Sequence, residues 1–231
     1  MTDYDTPMDV VYLTKDGGNP ELQYSLRTLV NVNHGKVWVF GGAPHWLNHD
    51  TVRHELRSQD ASSPYKSTQR HLRAACLHLE VSDPFTLWND DFYAMQPVGD
   101  VPVMSRGPLG EMAQEFAKVR TPWAQGLREV LDWAGPEAMS YDHHQPLVIH
   151  KEPMLEALHI VNTFRQTAAH VRTVYGEIAG LQGSIVPDAK MMRRQDPFPE
   201  GPWLSSSAST FRGCIEPLLR YLFPTTGKYE Q

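Results

Sequence analysis

Cysteine, long apolar runs and basic charge are all in short supply in this chain, and each shortage excludes something. Cys76 and Cys214 are the only cysteines in 231 residues. Two are too few for a disulfide framework or a zinc cluster, so a reducing compartment is expected. No stretch approaches the ~18 continuous apolar residues of a membrane-spanning helix. The opening Met1-Thr2-Asp3-Tyr4-Asp5 is polar and acidic, unlike a secretory signal. A cytoplasmic location without a membrane span is therefore expected. With 21 Lys and Arg against 27 Asp and Glu, the formal charge is −6. That argues against a strongly electrostatic nucleic-acid binder but leaves room for a local patch. Four sequence signatures are also absent: His-Glu-x-x-His, Gly-x-Gly-x-x-Gly, Gly-Lys-Ser/Thr and Gly-x-Ser-x-Gly. Their absence removes the common metalloprotease, dinucleotide-binding, phosphate-loop and hydrolase patterns.

What is present suits one globular domain. Hydrophobic residues make up 41% of the chain, including 6 Trp, 9 Tyr and 8 Phe, and no Pro/Gly/Ser-rich linker divides it. Residues 1–105 read as an α/β part and 106–231 as a more helical part. Val10–Leu13, Val37–Phe40 and Phe85–Trp88 are short β-rich runs separated by helical patterns of crossover length, which predicts one mainly parallel sheet flanked by helices. Asn19 is placed to cap a helix starting at Pro20, with Leu22, Leu26, Leu29 and Val30 as its apolar stripe. A second helix begins near Ser67, with Leu72, Ala75, Cys76 and Leu79 facing inward, and Asp83-Pro84 breaks it. Farther on, Trp123, Leu127, Val130, Leu131 and Ala134 form a stripe ending at Gly135-Pro136. Leu147-Val148-Ile149 is strand-like. One long helix is predicted from Pro153 to Ile178 and a short one from Ile215 to Leu222.

Candidate chemistry gathers after the strands. Asn89-Asp90-Asp91 follows the Phe85–Trp88 run directly. Adjacent carboxylates at the carboxyl end of a core strand suit Mg²⁺ or Mn²⁺ bridging to a phosphorylated ligand. The same three residues also make an ordinary solvated turn. Thr14, Lys15, Asp16 and Gly17 follow the first strand, where a base or ribose could rest or where a plain turn would do. Arg27 is suited to bidentate phosphate binding or to an exposed helix face. Lys66 and Arg70, one turn apart at a helix start, are either a pyrophosphate site or a surface pair. His143 and His144 precede Gln145-Pro146, and His144 is a candidate general base with a structural histidine as the alternative.

These pieces together resemble a family. Asp9-Val10-Val11-Tyr12-Leu13-Thr14-Lys15-Asp16-Gly17 is similar to the first block of the Stealth-type sugar-phosphate transferases. Glu21-Leu22-Gln23-Tyr24-Ser25-Leu26-Arg27-Thr28-Leu29 resembles their Glu-Leu-Arg-Tyr-Ser-Leu-Arg block. Pro44-His45-Trp46-Leu47, Trp88-Asn89-Asp90-Asp91-Phe92-Tyr93 and His144-Gln145-Pro146 resemble further blocks in the same order. An equal resemblance is to short glycosyltransferase-like proteins encoded by actinobacterial phages. Lys15 and Thr14 depart from the Val and Trp of the first block, and the chain is shorter than most Stealth enzymes.

The resemblance implies a GT-A-like fold and a glycosyltransferase using a nucleotide-diphosphate sugar, a UDP-sugar foremost, with Mn²⁺ or Mg²⁺. Asp90 and Asp91 would hold the metal, and Asp91, Arg27 and His144 would be catalytic. Thr14, Lys15, Asp16, Gly17, Arg27, Lys66, Arg70 and Asn89 would bind the nucleotide. The acceptor would be a hydroxyl on protein, glycan or modified DNA, in the host cytoplasm if the chain is phage-encoded. Sugar-1-phosphate transfer forming a phosphodiester is the alternative chemistry. A non-catalytic nucleotide-sugar-binding module and a metal-dependent nucleotidyltransferase are the alternatives from other classes.

Overall fold

The structure is a computed structural model and describes residues 7–60, 63–166, 168 and 170–231. Along the chain run β1 (Asp9–Thr14), α1 (Pro20–Thr28), β2 (Val37–Gly41), β3 (Val52–Leu56), α2 (Pro64–Leu77), β4 (Phe85–Asn89), β5 (Phe92–Ala94) and β6 (Met104–Ser105). Then follow α3 (Leu109–Glu115), α4 (Pro122–Ala134), β7 (Leu147–Ile149), α5 (Lys151–Val161), α6 (Val171–Ile178), β8 (Ser184–Ile185), β9 (Lys190–Met191), β10 (Trp203–Ser206), α7 (Ala208–Thr210) and α8 (Glu216–Leu222). The fold is α/β. Its main sheet has the order β3-β2-β1-β4-β7, parallel except for β7, which runs antiparallel to β4. All three predicted strands lie in this sheet. Because β7 comes from the second half of the chain, both halves share it.

Alternation along the strands splits the core. On one face Val11, Trp38, Phe40 and Leu87 pack with Leu72, Cys76 and Leu158 of the helices α2 and α5. On the other, Val10, Tyr12, Val37, Val39 and Trp88 pack with Leu22 and Leu26 of α1. A smaller sheet, β5-β10-β9, continues from the end of β4. Its Tyr93 and Leu204 join Phe211, Ile215 and Leu219 in a third cluster. No helix among the described residues is long and apolar enough to cross a membrane.

Three local expectations need correction. Val30 is 78% exposed, because α1 ends at Thr28 and the tighter 3₁₀ turn Leu29–Asn31 rotates it out of the stripe. Leu79 is 98% exposed, because α2 ends at Leu77 and Leu79 lies beyond its last turn. The single helix from Pro153 to Ile178 is two helices, α5 and α6, packed against each other. Polar Asn162, Thr163 and Gln166 fill part of the break, and folding back lets both apolar stripes reach one core.

Candidate functional site

The sheet order decides where a ligand can sit. From β1 the chain crosses by α1 to β2 on one side, while β4 flanks β1 on the other. The reversal opens a crevice at the carboxyl ends of β1 and β4. Leu13 and Asn89 are register partners there. Two cavities adjoin at this point, and Leu13, Thr68 and Asn89 line both. The first, about 460 Å³, extends over Thr14, Lys15, Asp60, His71 and Asp90. The second, about 340 Å³, extends over Tyr65, Trp123, Asp142, His144 and Arg172. Both are within the size range of small-molecule sites.

Close packing holds the turn after β1. The Thr14 hydroxyl donates to the Gly42 carbonyl at 2.7 Å. Gly41 has φ +129°, and a Cβ there would lie 2.1 Å from the Thr14 carbonyl oxygen, so glycine is needed on both counts. Gly17 also has a positive φ, +115°, and turns the chain toward α1. Trp46 pins the same turn by donating its indole N–H to the Gly18 carbonyl at 2.8 Å. Asn19 then does two things. Its Oδ1 caps α1 by accepting from the Leu22 amide at 3.3 Å. Its Nδ2 donates to Asp90 Oδ2 at 2.9 Å.

Asp90 and Asp91 face different surroundings. Asp90 lines the first cavity, with Lys15 Nζ 4.0 Å away. Burial, and after it the neighbouring Asp91 carboxylate, push the Asp90 carboxyl up to about 6 against the pull of Lys15 and Asn19. Asp91 turns toward the small sheet, where its Oδ2 accepts from Lys190 Nζ at 3.0 Å and Ser205 Oγ at 3.3 Å. The described residues contain no group of three or more ligating side chains. A divalent cation here would take one or two protein oxygens, with phosphate and water completing its shell, a mode Mg²⁺ uses. Asp90 suits that role, since its carboxylate is the less compensated of the two.

In the second cavity His144 Nδ1 pairs with Asp188 Oδ2 at 2.7 Å, and Asp188 Oδ1 accepts the His144 amide at 3.0 Å. This arrangement fixes the ring and leaves Nε2 as the nitrogen without the carboxylate partner. Burial alone would raise the Asp188 carboxyl. The His144 hydrogen bond and the Arg106 guanidinium 3.4 Å away hold it well below the usual carboxylate range instead. Arg172 is only 7% exposed. Its Nη1 donates to the His143 and Gln145 carbonyls at 2.9 and 2.7 Å, while its buried Nη2 has no hydrogen-bond partner among the described residues. Burial works against the Arg172 charge, and the neighbouring Asp142, Asp91 and Asp188 carboxylates favour it.

Three expected site residues lie elsewhere. Arg27 is in a cavity between α1 and the C-terminal segment, donating from Nε and Nη2 to Glu230 at 2.7 and 2.8 Å. Lys66 and Arg70 line a groove against α5 with Arg73 and Arg165, and Arg70 also pairs with Asp60 at 3.3 Å. Helical phase explains their placement: Pro64, Ser67, Thr68 and His71 occupy the face toward the first cavity, so Lys66 and Arg70 fall on another. Asp16 is exposed beside Gly42. Thr14, Lys15, Asn89, Asp90 and His144 are brought together around the two cavities. Asn19, His71, Arg172, Asp188 and Lys190 were missed. Asn19 read only as a cap, and no local pattern ties Asp188 or Lys190 to residues 44 and 99 positions away. No family model matches the chain, and a search of curated proteins finds no match either.

Proposed function

We propose that the protein is a glycosyltransferase that moves a sugar from a nucleoside diphosphate to a hydroxyl acceptor, on a GT-A-like arrangement of the sheet. The observation that carries this reading is the pair of adjoining cavities at the ends of β1 and β4. An under-compensated carboxylate, Asp90, lines one, and a carboxylate-oriented imidazole, His144, lines the other. Asp90 would hold Mg²⁺ or Mn²⁺, which supplies charge to neutralise the diphosphate. The chain's own residues do the rest. Asp188 keeps the His144 hydrogen on Nδ1, so Nε2 takes the acceptor proton as the acceptor oxygen bonds to the anomeric carbon. The bond from that carbon to the β-phosphate oxygen breaks, and the nucleoside diphosphate leaves with the electron pair. Lys15 of the first cavity and Arg172 of the second give fixed positive charge to the developing anion.

The test is product release from a panel of nucleotide sugars with Mn²⁺ and a mixed acceptor pool. Nucleoside diphosphate release that disappears in Asp90→Asn supports the reading. Release of nucleoside monophosphate would instead assign sugar-phosphate transfer to the same site. A protein that neither binds nor turns over any member of the panel is not a transferase of this kind.

A further inference from the structure

The basic groove between α2 and α5 has no part in the donor site, yet it adjoins the second cavity. Lys66, Arg70 and Arg73 recur at i, i+4 and i+7, so they fall along one face of α2, over about 10 Å of helix. Arg165 lines the same groove from the segment after α5, and all four residues are exposed. No carboxylate lines the groove among the described residues. The two acids beside it are engaged. Asp60 pairs with Arg70 at 3.3 Å, and Glu129 accepts the Arg165 and Gln166 amides at 3.2 and 2.9 Å. Among the described residues Lys66, Arg73 and Arg165 thus keep uncompensated charge, in a chain whose formal charge is −6.

Shape and lining narrow the partner. A single phosphate is held by donors that converge on it, whereas these cations are strung along an open groove of about 450 Å³. Such a row matches the repeating charge of a phosphate backbone. Between the cations the wall is apolar, with Leu158, Val161 and half-buried Phe164, and exposed Tyr65 stands one residue before Lys66. Flat unpaired bases pack on such surfaces. A duplex hides its bases, and polyphosphate has none. Gln69 lines both this groove and the cavity of His144, and Tyr65 lines that cavity too. We infer that the groove docks a single-stranded nucleic acid, with Tyr65 as a stacking platform where the strand enters the His144 cavity. The docking stands on the groove alone. That the bound strand is the acceptor, through a ribose or terminal hydroxyl, rests on the glycosyltransferase reading above.

Fluorescence anisotropy of the whole protein with labelled single-stranded DNA and RNA oligonucleotides tests the docking. Contacts from Lys66, Arg73 and Arg165 predict a slope of about −2 in log K against log salt, a loss of roughly twentyfold from about 50 to 200 mM. Arg73→Glu and Arg165→Glu should each weaken binding several-fold and flatten that slope. Tyr65→Ala should weaken binding at least about fivefold and leave the slope unchanged. All three positions are exposed, and should a variant fail to fold, the slope on the native chain carries the test. A flat slope, no binding at low salt, or indifference to both arginine variants overturns the docking. Polyphosphate that competes as well as the oligonucleotide, phosphate for phosphate, overturns the nucleic-acid assignment. The acceptor role is read separately, as sugar mass added to the bound strand from the nucleotide-sugar panel. A strand that binds but gains no mass, while the donor is turned over on another acceptor, overturns that role. A donor that no acceptor turns over defeats the transferase reading and leaves the docking standing.

Discussion

Adjacent carboxylates with different partners respond differently to the same change. Asp91→Asn leaves Lys190 without its counter-ion, 20% exposed beside the small sheet, and should cost on the order of 1–3 kcal/mol in chemical denaturation. Asp90→Asn keeps an oxygen for Asn19 and removes the repulsion from Asp91, so the folded protein should be as stable or more so while donor turnover is lost. Equal destabilisation by both would show that the two are not differentiated. For His144→Ala the expected loss in transfer rate is ~10²–10⁴-fold with donor affinity unchanged, read as kcat against donor Kd. Asp188→Asn should lower the rate less and leave the donor Kd alone. The same aspartate gives a stability test. Its folded pKa lies below the unfolded value, so its contribution is complete above about pH 4 and is lost as pH falls. Melting from pH 7 to pH 3 should therefore drop less steeply in Asp188→Asn than in the native chain. That Asn89-Asp90-Asp91 would need partners was legible, because acids right after a core strand need compensation. Which acid faces the first cavity was not, because Lys190 and Ser205 make that choice from about a hundred residues away.

Among the elements, α2 shows how much a helical face decides. Its cations were conspicuous in sequence, yet the residues one step round the helix line the cavity. Lys66→Glu and Arg73→Glu should accordingly leave donor affinity within about twofold. A larger loss in calorimetry would place the phosphates in the groove against α5. The end of β2 is stricter. Gly41→Ala forces a Cβ to 2.1 Å from the Thr14 carbonyl oxygen, far inside van der Waals contact, at a φ that L residues avoid. It should destabilise by more than ~1 kcal/mol and weaken donor binding together. The parallel strands were legible because each is a short apolar run bounded by its own turn and crossover. The break between α5 and α6 was not. The apolar spacing continues in sequence, and only the need of both stripes for the same core separates the helices.

At the scale of the molecule, Arg27 belongs to the frame. With Glu230 it forms a buried pair, at 11% and 3% side-chain exposure, joined by Gln23 and the Phe223 carbonyl. Removing one partner should cost ~3–5 kcal/mol, whereas an apolar pair such as Arg27→Met with Glu230→Leu should recover much of it. Turnover per folded molecule is expected to be unchanged in the double variant. A selective loss of kcat would return Arg27 to the chemistry. The C-terminal half was the least legible part because its strands are two to four residues long and find their register far back, as Trp203 does with Ala94. One such segment carries a further consequence. Asp188, which orients His144, and Lys190, which balances Asp91, are two residues apart. A ribosome reading this message lays down the main sheet and the residues that line both cavities first, and supplies Asp188 and Lys190 together in one later stretch. A product ending short of that stretch would hold His144 and Asp91 without the carboxylate and the ammonium that pair with them, so truncation before Asp188 should cost it both contacts at once.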